Sequence, residues 1–128
     1  MAEAVTEVRR GTEVEERLIG TASGPTGGPN LLCVAGIHGN EPAGVHALRR
    51  VLAALDDRLD KLEGSIVALA GNLAALEAGR RFVDRDLNRA WTRARLEQLR
   101  SNRAAGESVE DHEQVELLDA IEAVLHRA

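Results

Sequence analysis

His38 and Glu41 stand three residues apart in the run Gly36-Ile37-His38-Gly39-Asn40-Glu41-Pro42. An imidazole and a carboxylate that close can share a divalent ion. Zinc suits them, since it takes neutral histidine nitrogen and carboxylate oxygen at about 2.0–2.2 Å. A catalytic zinc adds a third protein ligand and keeps a fourth position open, where it acidifies a water molecule and polarises a carbonyl. The glycines at 36 and 39 allow a tight turn, and Pro42 marks the start of a helix, so both side chains can be aimed at one point. The spacing alone also fits a plainer reading, a loop histidine beside a glutamate favoured by the positive end of a helix.

A second cluster supplies hydrogen-bond donors. Arg81, Arg85, Asn88 and Arg89, with Asp84 and Asp86, crowd the segment Arg80-Arg81-Phe82-Val83-Asp84-Arg85-Asp86-Leu87-Asn88-Arg89, in which seven of ten residues are charged or amide. No helical or strand period explains that density. Arginine and asparagine on a loop can hold a carboxylate and polarise an amide oxygen. The plainer alternative is a solvated loop whose arginines and aspartates pair internally, worth about 0–1 kcal/mol each.

Positioning these residues calls for a sheet. Residues 31–37 form a short apolar run, expected to be a strand buried on both faces. After Pro42, the residues Val45, Leu48, Val51, Leu52, Leu55, Leu59 and Leu62 recur at three- and four-residue spacing. That pattern predicts an amphipathic helix with Arg49, Arg50, Asp56 and Asp57 on its wet side and Gly64 as its stop. Ser65-Ile66-Val67-Ala68-Leu69-Ala70 reads as a second buried strand, completing a right-handed βαβ unit. The His38 cluster and Gly71-Asn72 then lie beyond the carboxyl ends of the strands, where open α/β sheets bind ligands.

Upstream, residues 6–21 read as one or two edge strands around Gly11, and residues 23–30, rich in Gly and Pro, as a loop. Downstream, residues 92–100 read as a short helix and 101–107 as a polar connection. Ser108 with Asp111 predicts a capping box that opens a last helix bearing Val115, Leu118, Ile121, Val124 and Leu125. Cys33 is expected to be an inert core thiol, and Trp91 to cap the core behind the second loop.

Composition narrows the function. The 128 residues are 44% hydrophobic and 29% charged, enough apolar residues for one packed domain and too many for general disorder. No run of about 18 apolar residues predicts a membrane span. The acidic first residues do not read as a secretory signal. One cysteine, Cys33, fits a reducing cytoplasm. A net charge of −5 argues against nucleic acid as a partner. Lys61 is the only lysine, so the positive charge is almost wholly arginine, which grips planar anions at two points.

Taken together, Gly36-Ile37-His38-Gly39-Asn40-Glu41-Pro42-Ala43-Gly44, then Gly71-Asn72, then Asp86-Leu87-Asn88-Arg89 resemble the succinylglutamate desuccinylase/aspartoacylase family of zinc-dependent amidohydrolases, related in fold to zinc carboxypeptidases. The similarity runs from about Leu31 to Trp91 and more loosely through the final helix. It implies an α/β, three-layer αβα fold around a zinc-carboxypeptidase-like mixed sheet, with residues 1–128 as a single, partial catalytic domain. It also implies that His38 and Glu41 are zinc ligands, that Arg81 contacts substrate, and that Asn88 and Arg89 recognise its carboxylate end. Asp86 would support the geometry of loop or ligand. The family hydrolyses an N-acyl amide with a metal-activated water and a glutamate as general base.

The family's third zinc ligand, a histidine in an Asp-Leu-His-Thr-like segment, and its general-base glutamate have no counterpart here. Both are expected downstream of Ala128. His46, His112 and His126 are not expected to substitute, and Glu77 and Glu113 read as surface residues. With two family ligands, this chain alone is expected to hydrolyse an N-acyl amino acid weakly or not at all. Two competing readings are a non-catalytic module that binds small carboxylates or dicarboxylates, and a fragment that pairs with a second copy or with a missing C-terminal half through its raw sheet edge.

Overall fold

The computed structural model describes residues 7–8, 16–101 and 106–127. In chain order these form strands β1 (Glu7–Val8), β2 (Leu18–Ser23) and β3 (Thr26–Ala35), helix α1 (Ala43–Leu55), strand β4 (Glu63–Ala70), and helices α2 (Leu73–Ala78), α3 (Arg93–Ser101) and α4 (Val109–Arg127). Single 3-10 turns occur at Leu59–Lys61 and Leu87–Arg89. The sheet order is β1-β2-β4-β3, with β3 parallel to β4 and β2 antiparallel to both of its neighbours. The fold is a small α/β domain with a mixed sheet, and β3-α1-β4 is the expected βαβ unit.

Apolar side chains set the layers. On one face, Val45 and Leu52 of α1 pack with Ile19, Ala22, Ala68 and Ala70 in the buried core. On the other, Thr21, Val67 and Leu69 share an apolar cleft with Ala120, Ala123 and Val124 of α4. The alternation of Val67, Ala68, Leu69 and Ala70 between faces is the period of two of a strand covered on both sides. α4 opens as expected: Ser108 Oγ accepts from the Asp111 N–H at 2.9 Å, and Asp111 Oδ2 accepts from the Ser108 N–H at 3.0 Å. No helix of the described residues is long and apolar enough to cross a membrane.

Five expectations are corrected. Residues 23–30 are not a loop, because β3 already begins at Thr26, paired with Glu63, and only a register shift before Asn30 marks the Gly and Pro residues. Pro29 is tolerated because β3 pairs only with β4 among the described strands, and an edge strand can lack a donor. For the same reason β3 is not buried on both faces: Leu31 is 56% and Val34 37% exposed, and Cys33 is half-buried rather than core. The helix after Pro42 ends at Leu55, so Leu59 belongs to a separate 3-10 turn and Gly64 lies inside β4 instead of stopping a helix. Arg49 is half-buried rather than on a wet face. The expected strands around Gly11 correspond to β1 and β2, while Gly11 itself lies outside the described residues.

Candidate functional site

The parallel pair β3 and β4 ends side by side, and two hydrogen bonds carry the pairing past the strands. The Gly71 N–H donates to Ala35 O at 2.7 Å and the Asn72 N–H to Gly36 O at 2.9 Å. Gly36 then turns the chain at φ +78°, a conformation that favours glycine. Gly39 is buried against α2, and its N–H donates to Arg81 O at 3.2 Å, which docks the His38 turn onto the arginine-bearing loop. An added Cβ at Gly39 would run into the Ala75 carbonyl and come within 2.5 Å of Arg80 O.

His38 is held at one ring nitrogen and faces a carboxylate with the other. Its Nε2 lies 2.9 Å from Asp86 Oδ1, and its Nδ1 lies 3.8 Å from Glu41 Oε2. Burial works to raise the Asp86 pKa, but it is outweighed by the His38 hydrogen bond, the Asn88 N–H and the nearby charges of His38 and Arg81, so the carboxyl stays below its usual range. An ionised Asp86 can only accept, so Nε2 is the donor of this pair, and in the Nε2–H tautomer it is Nδ1 that carries a lone pair on the Glu41 side. A carboxylate behind a histidine is the usual way a metal-binding imidazole is fixed.

The donor set fits zinc. Two ligand atoms bound to one zinc ion can be no more than about 4.3 Å apart, and His38 Nδ1 and Glu41 Oε2 meet that limit at 3.8 Å. Among the described residues no group of three or more His, Cys, Asp or Glu side chains gathers as a metal cluster.

The second loop converges on the same carboxylates. Arg81 reaches Glu41 Oε2 and Asp86 Oδ2, each at 3.8 Å, and Arg89 Nε lies 3.7 Å from Asp86 Oδ2. Asp86 also caps the Leu87–Arg89 turn by accepting the Asn88 N–H at 2.9 Å, while buried Leu87 anchors that turn beneath. Ion pairs this long, with their guanidinium groups exposed, contribute about 0–1 kcal/mol, so the guanidinium groups can exchange them for an incoming anion. The structure thus gathers His38, Glu41, Arg81, Asp86 and Arg89. Asn88 is exposed on the same turn and joins the cluster through its backbone.

Sequence reasoning missed what holds the loop. Glu110, in the first turn of α4, is fully buried. Its carboxylate accepts from the N–H groups of Val83 (2.8 Å), Asp84 (2.9 Å) and Arg85 (3.0 Å) and from Asn72 Nδ2 (2.9 Å). Asp84 answers by accepting the Val109 N–H at 2.7 Å. Asp111 accepts from Arg95 at 2.8 Å and pairs with Arg85. Glu113 is not a free surface acid either: it accepts from Arg17 and from the Leu73 N–H, both at 2.8 Å. Nothing in the sequence separates Glu110 from the ordinary acids in the first turn of a helix. His46, His112 and His126 are exposed, and none belongs to the cluster around His38.

For both Glu110 and Asp111, burial acts to raise the pKa and is outweighed. The opposing bonds come from Val83, Asn72, Asp84 and Arg85 for Glu110, and from Ser108 and Arg85 for Asp111, so both titrate below their usual range. A depressed folded-state pKa stabilises the fold above the unfolded value and loses that stabilisation as pH falls through the folded value. The urea midpoint is therefore expected to drop as pH is lowered below about 4, and the drop should be smaller in Glu110→Gln. A midpoint slope below that pH identical in both proteins would contradict the assignment for Glu110.

Comparison with known proteins shows the family. The catalytic-domain model of the succinylglutamate desuccinylase/aspartoacylase family matches residues 27–127, and the chain belongs to that family. It is 40% identical over 64 residues to a succinylglutamate desuccinylase of Pseudomonas putida KT2440, covering 50% of this chain and 19% of that protein. A succinylglutamate desuccinylase of Pseudomonas paraeruginosa PA7 is 41% identical over 64 residues, with the same 50% and 19% coverage. The crystal structure of a succinylglutamate desuccinylase from Chromobacterium violaceum superposes with a TM-score of 0.53 at 25% identity, covering 74% of this chain and 30% of that one. The matched segment thus spans about a fifth of the length of these curated relatives.

Proposed function

We propose that this chain carries the metal and carboxylate half of a zinc-dependent amidohydrolase site that acts on N-acyl amino acids. One observation carries the reading: His38 is turned by Asp86 so that Nδ1 and the Glu41 carboxylate can meet one ion, directly beside Arg81. His38 and Glu41 would hold zinc, which supplies Lewis acidity toward an amide carbonyl and toward water when bound. Arg81 and Arg89, with the side chain of Asn88, would grip the carboxylate of the substrate and orient its amide toward His38 and Glu41. Asp86 keeps the proton on His38 Nε2 while its second oxygen balances the two arginines.

A second reading, a carboxylate-binding module without catalysis, is favoured by the exposure of the arginine pair. Calorimetry with succinate, in zinc and then in excess chelator, separates the two. The amidohydrolase reading expects succinate binding that weakens when zinc is removed, with little release of amine from N-acetyl or N-succinyl amino acids by this chain alone. Binding that ignores chelator would favour the module, and absence of binding in both conditions would contradict both readings.

A further inference from the structure

Glu110 spends a fully buried carboxylate on four hydrogen bonds, three of them from the consecutive backbone N–H groups of Val83, Asp84 and Arg85. Those residues lie between Arg81 and Asp86, in the middle of the loop that carries the anion-binding side chains. The fourth donor, Asn72, sits at the end of β4 and does three things at once. Its N–H donates to Gly36 O, where the His38 turn begins. Its Oδ1 accepts the Ala75 N–H and so caps α2, the helix against which Gly39 rests. Its Nδ2 donates to Glu110 at 2.9 Å. One carboxylate therefore joins the strand end behind His38 to the loop behind the arginines.

An ionised group buried this way is tolerable only with its full set of donors. The dependence runs both ways, because a backbone segment without regular structure has no ladder of its own to satisfy three adjacent N–H groups. The loop returns the contact through Asp84, which accepts the Val109 N–H at the start of α4. The link is short and polar.

We infer that Glu110 is the positioning residue of this site, setting the arginine-bearing loop against the His38 turn by way of Asn72. The inference rests on the zinc and carboxylate reading above. Glu110 acts through other groups, and its work is to keep Arg81, Asp86 and Arg89 at the distances from His38 and Glu41 that the site needs.

The test is Glu110→Gln in the full chain, read by amide hydrogen exchange and by succinate calorimetry in zinc. Glutamine removes the charge and presents an amide donor where the carboxylate accepted. Exchange protection is expected to fall at residues 83–85 and also at Asn88, Arg89 and Ala90, whose N–H groups bond to Asp86 and Leu87 and not to Glu110. β4 and α1 should keep their protection, and succinate affinity should fall about tenfold, as when a group behind a binding residue is lost. Unchanged protection at residues 88–90, protection lost evenly across the sheet, or full succinate affinity in the folded variant would each overturn the inference. If the unsubstituted chain fails to bind succinate, the zinc and carboxylate reading falls, and the exchange pattern alone decides the role of Glu110. Should Glu110→Gln not fold, Asn72→Ser retains an acceptor for the α2 cap while removing the Nδ2 amide that donates to Glu110, and the same exchange pattern decides.

Discussion

Replacing Asp86 with alanine is expected to weaken zinc binding by about 10–100-fold, the usual cost of removing the carboxylate behind a metal-binding histidine. The effect has three sources in the geometry. His38 Nε2 loses the acceptor at 2.9 Å that fixes its tautomer, so Nδ1 no longer always presents a lone pair to the ion. The Leu87–Arg89 turn loses its cap on the Asn88 N–H, worth about 1 kcal/mol. Arg81 and Arg89 lose a shared counter-charge, and Arg81 is left to compete with the metal for Glu41. Zinc calorimetry on Asp86→Ala and Asp86→Asn checks the claim. The asparagine variant keeps an acceptor and should fall between the alanine variant and the native chain. Native affinity in Asp86→Ala would show that His38 is not oriented by Asp86.

Gly39→Val should destabilise the fold by about 3 kcal/mol, at the upper end for overpacking a close contact. The backbone angle at Gly39 is not the reason, since Gly39 is absent from the glycines of positive φ. The reason is space. A side chain there meets the Ala75 carbonyl and the Arg80 carbonyl oxygen, which are main chain held in α2 and its exit and cannot swing aside as a flexible side chain would. The His38 turn must then lift away from Arg81 and break the Gly39 N–H bond to Arg81 O. Urea unfolding measures the loss. A midpoint within error of the native one would mean that the turn is not docked on α2. Gly79→Ala is a contrasting control, because nothing lies within 4 Å of its added Cβ and only its φ of +68° opposes the change.

The parts of this arrangement written in local chemistry were legible before any coordinates. Gly36, Gly39 and Pro42 punctuate the first turn, and the density of charge between Arg80 and Arg89 has no secondary-structure period, so both segments stood out as loops with work to do. The βαβ unit showed through the spacing of Val45, Leu48 and Leu52 and the apolar run from Ser65 to Ala70. Two kinds of information were hidden. An apolar run says nothing about whether a neighbouring strand covers it, so Leu31 and Val34 read as buried although they lie on an exposed edge. Long-range polar contacts leave no local trace either. Glu110 is an ordinary acid in the first turn of a helix until the fold brings Val83, Asp84 and Arg85 onto it. The capping pair Ser108 and Asp111, on either side of Glu110, was readable because both partners lie within one turn.

Calorimetric titration of zinc into the native chain and into His38→Ala bears most directly on the whole account. One zinc ion per native chain, with binding abolished in the alanine variant and fold retained by circular dichroism, is the expected result. Zinc that fails to bind the native chain, or that binds His38→Ala with the same affinity, would contradict the assignment of His38 and Glu41 as the metal-holding pair.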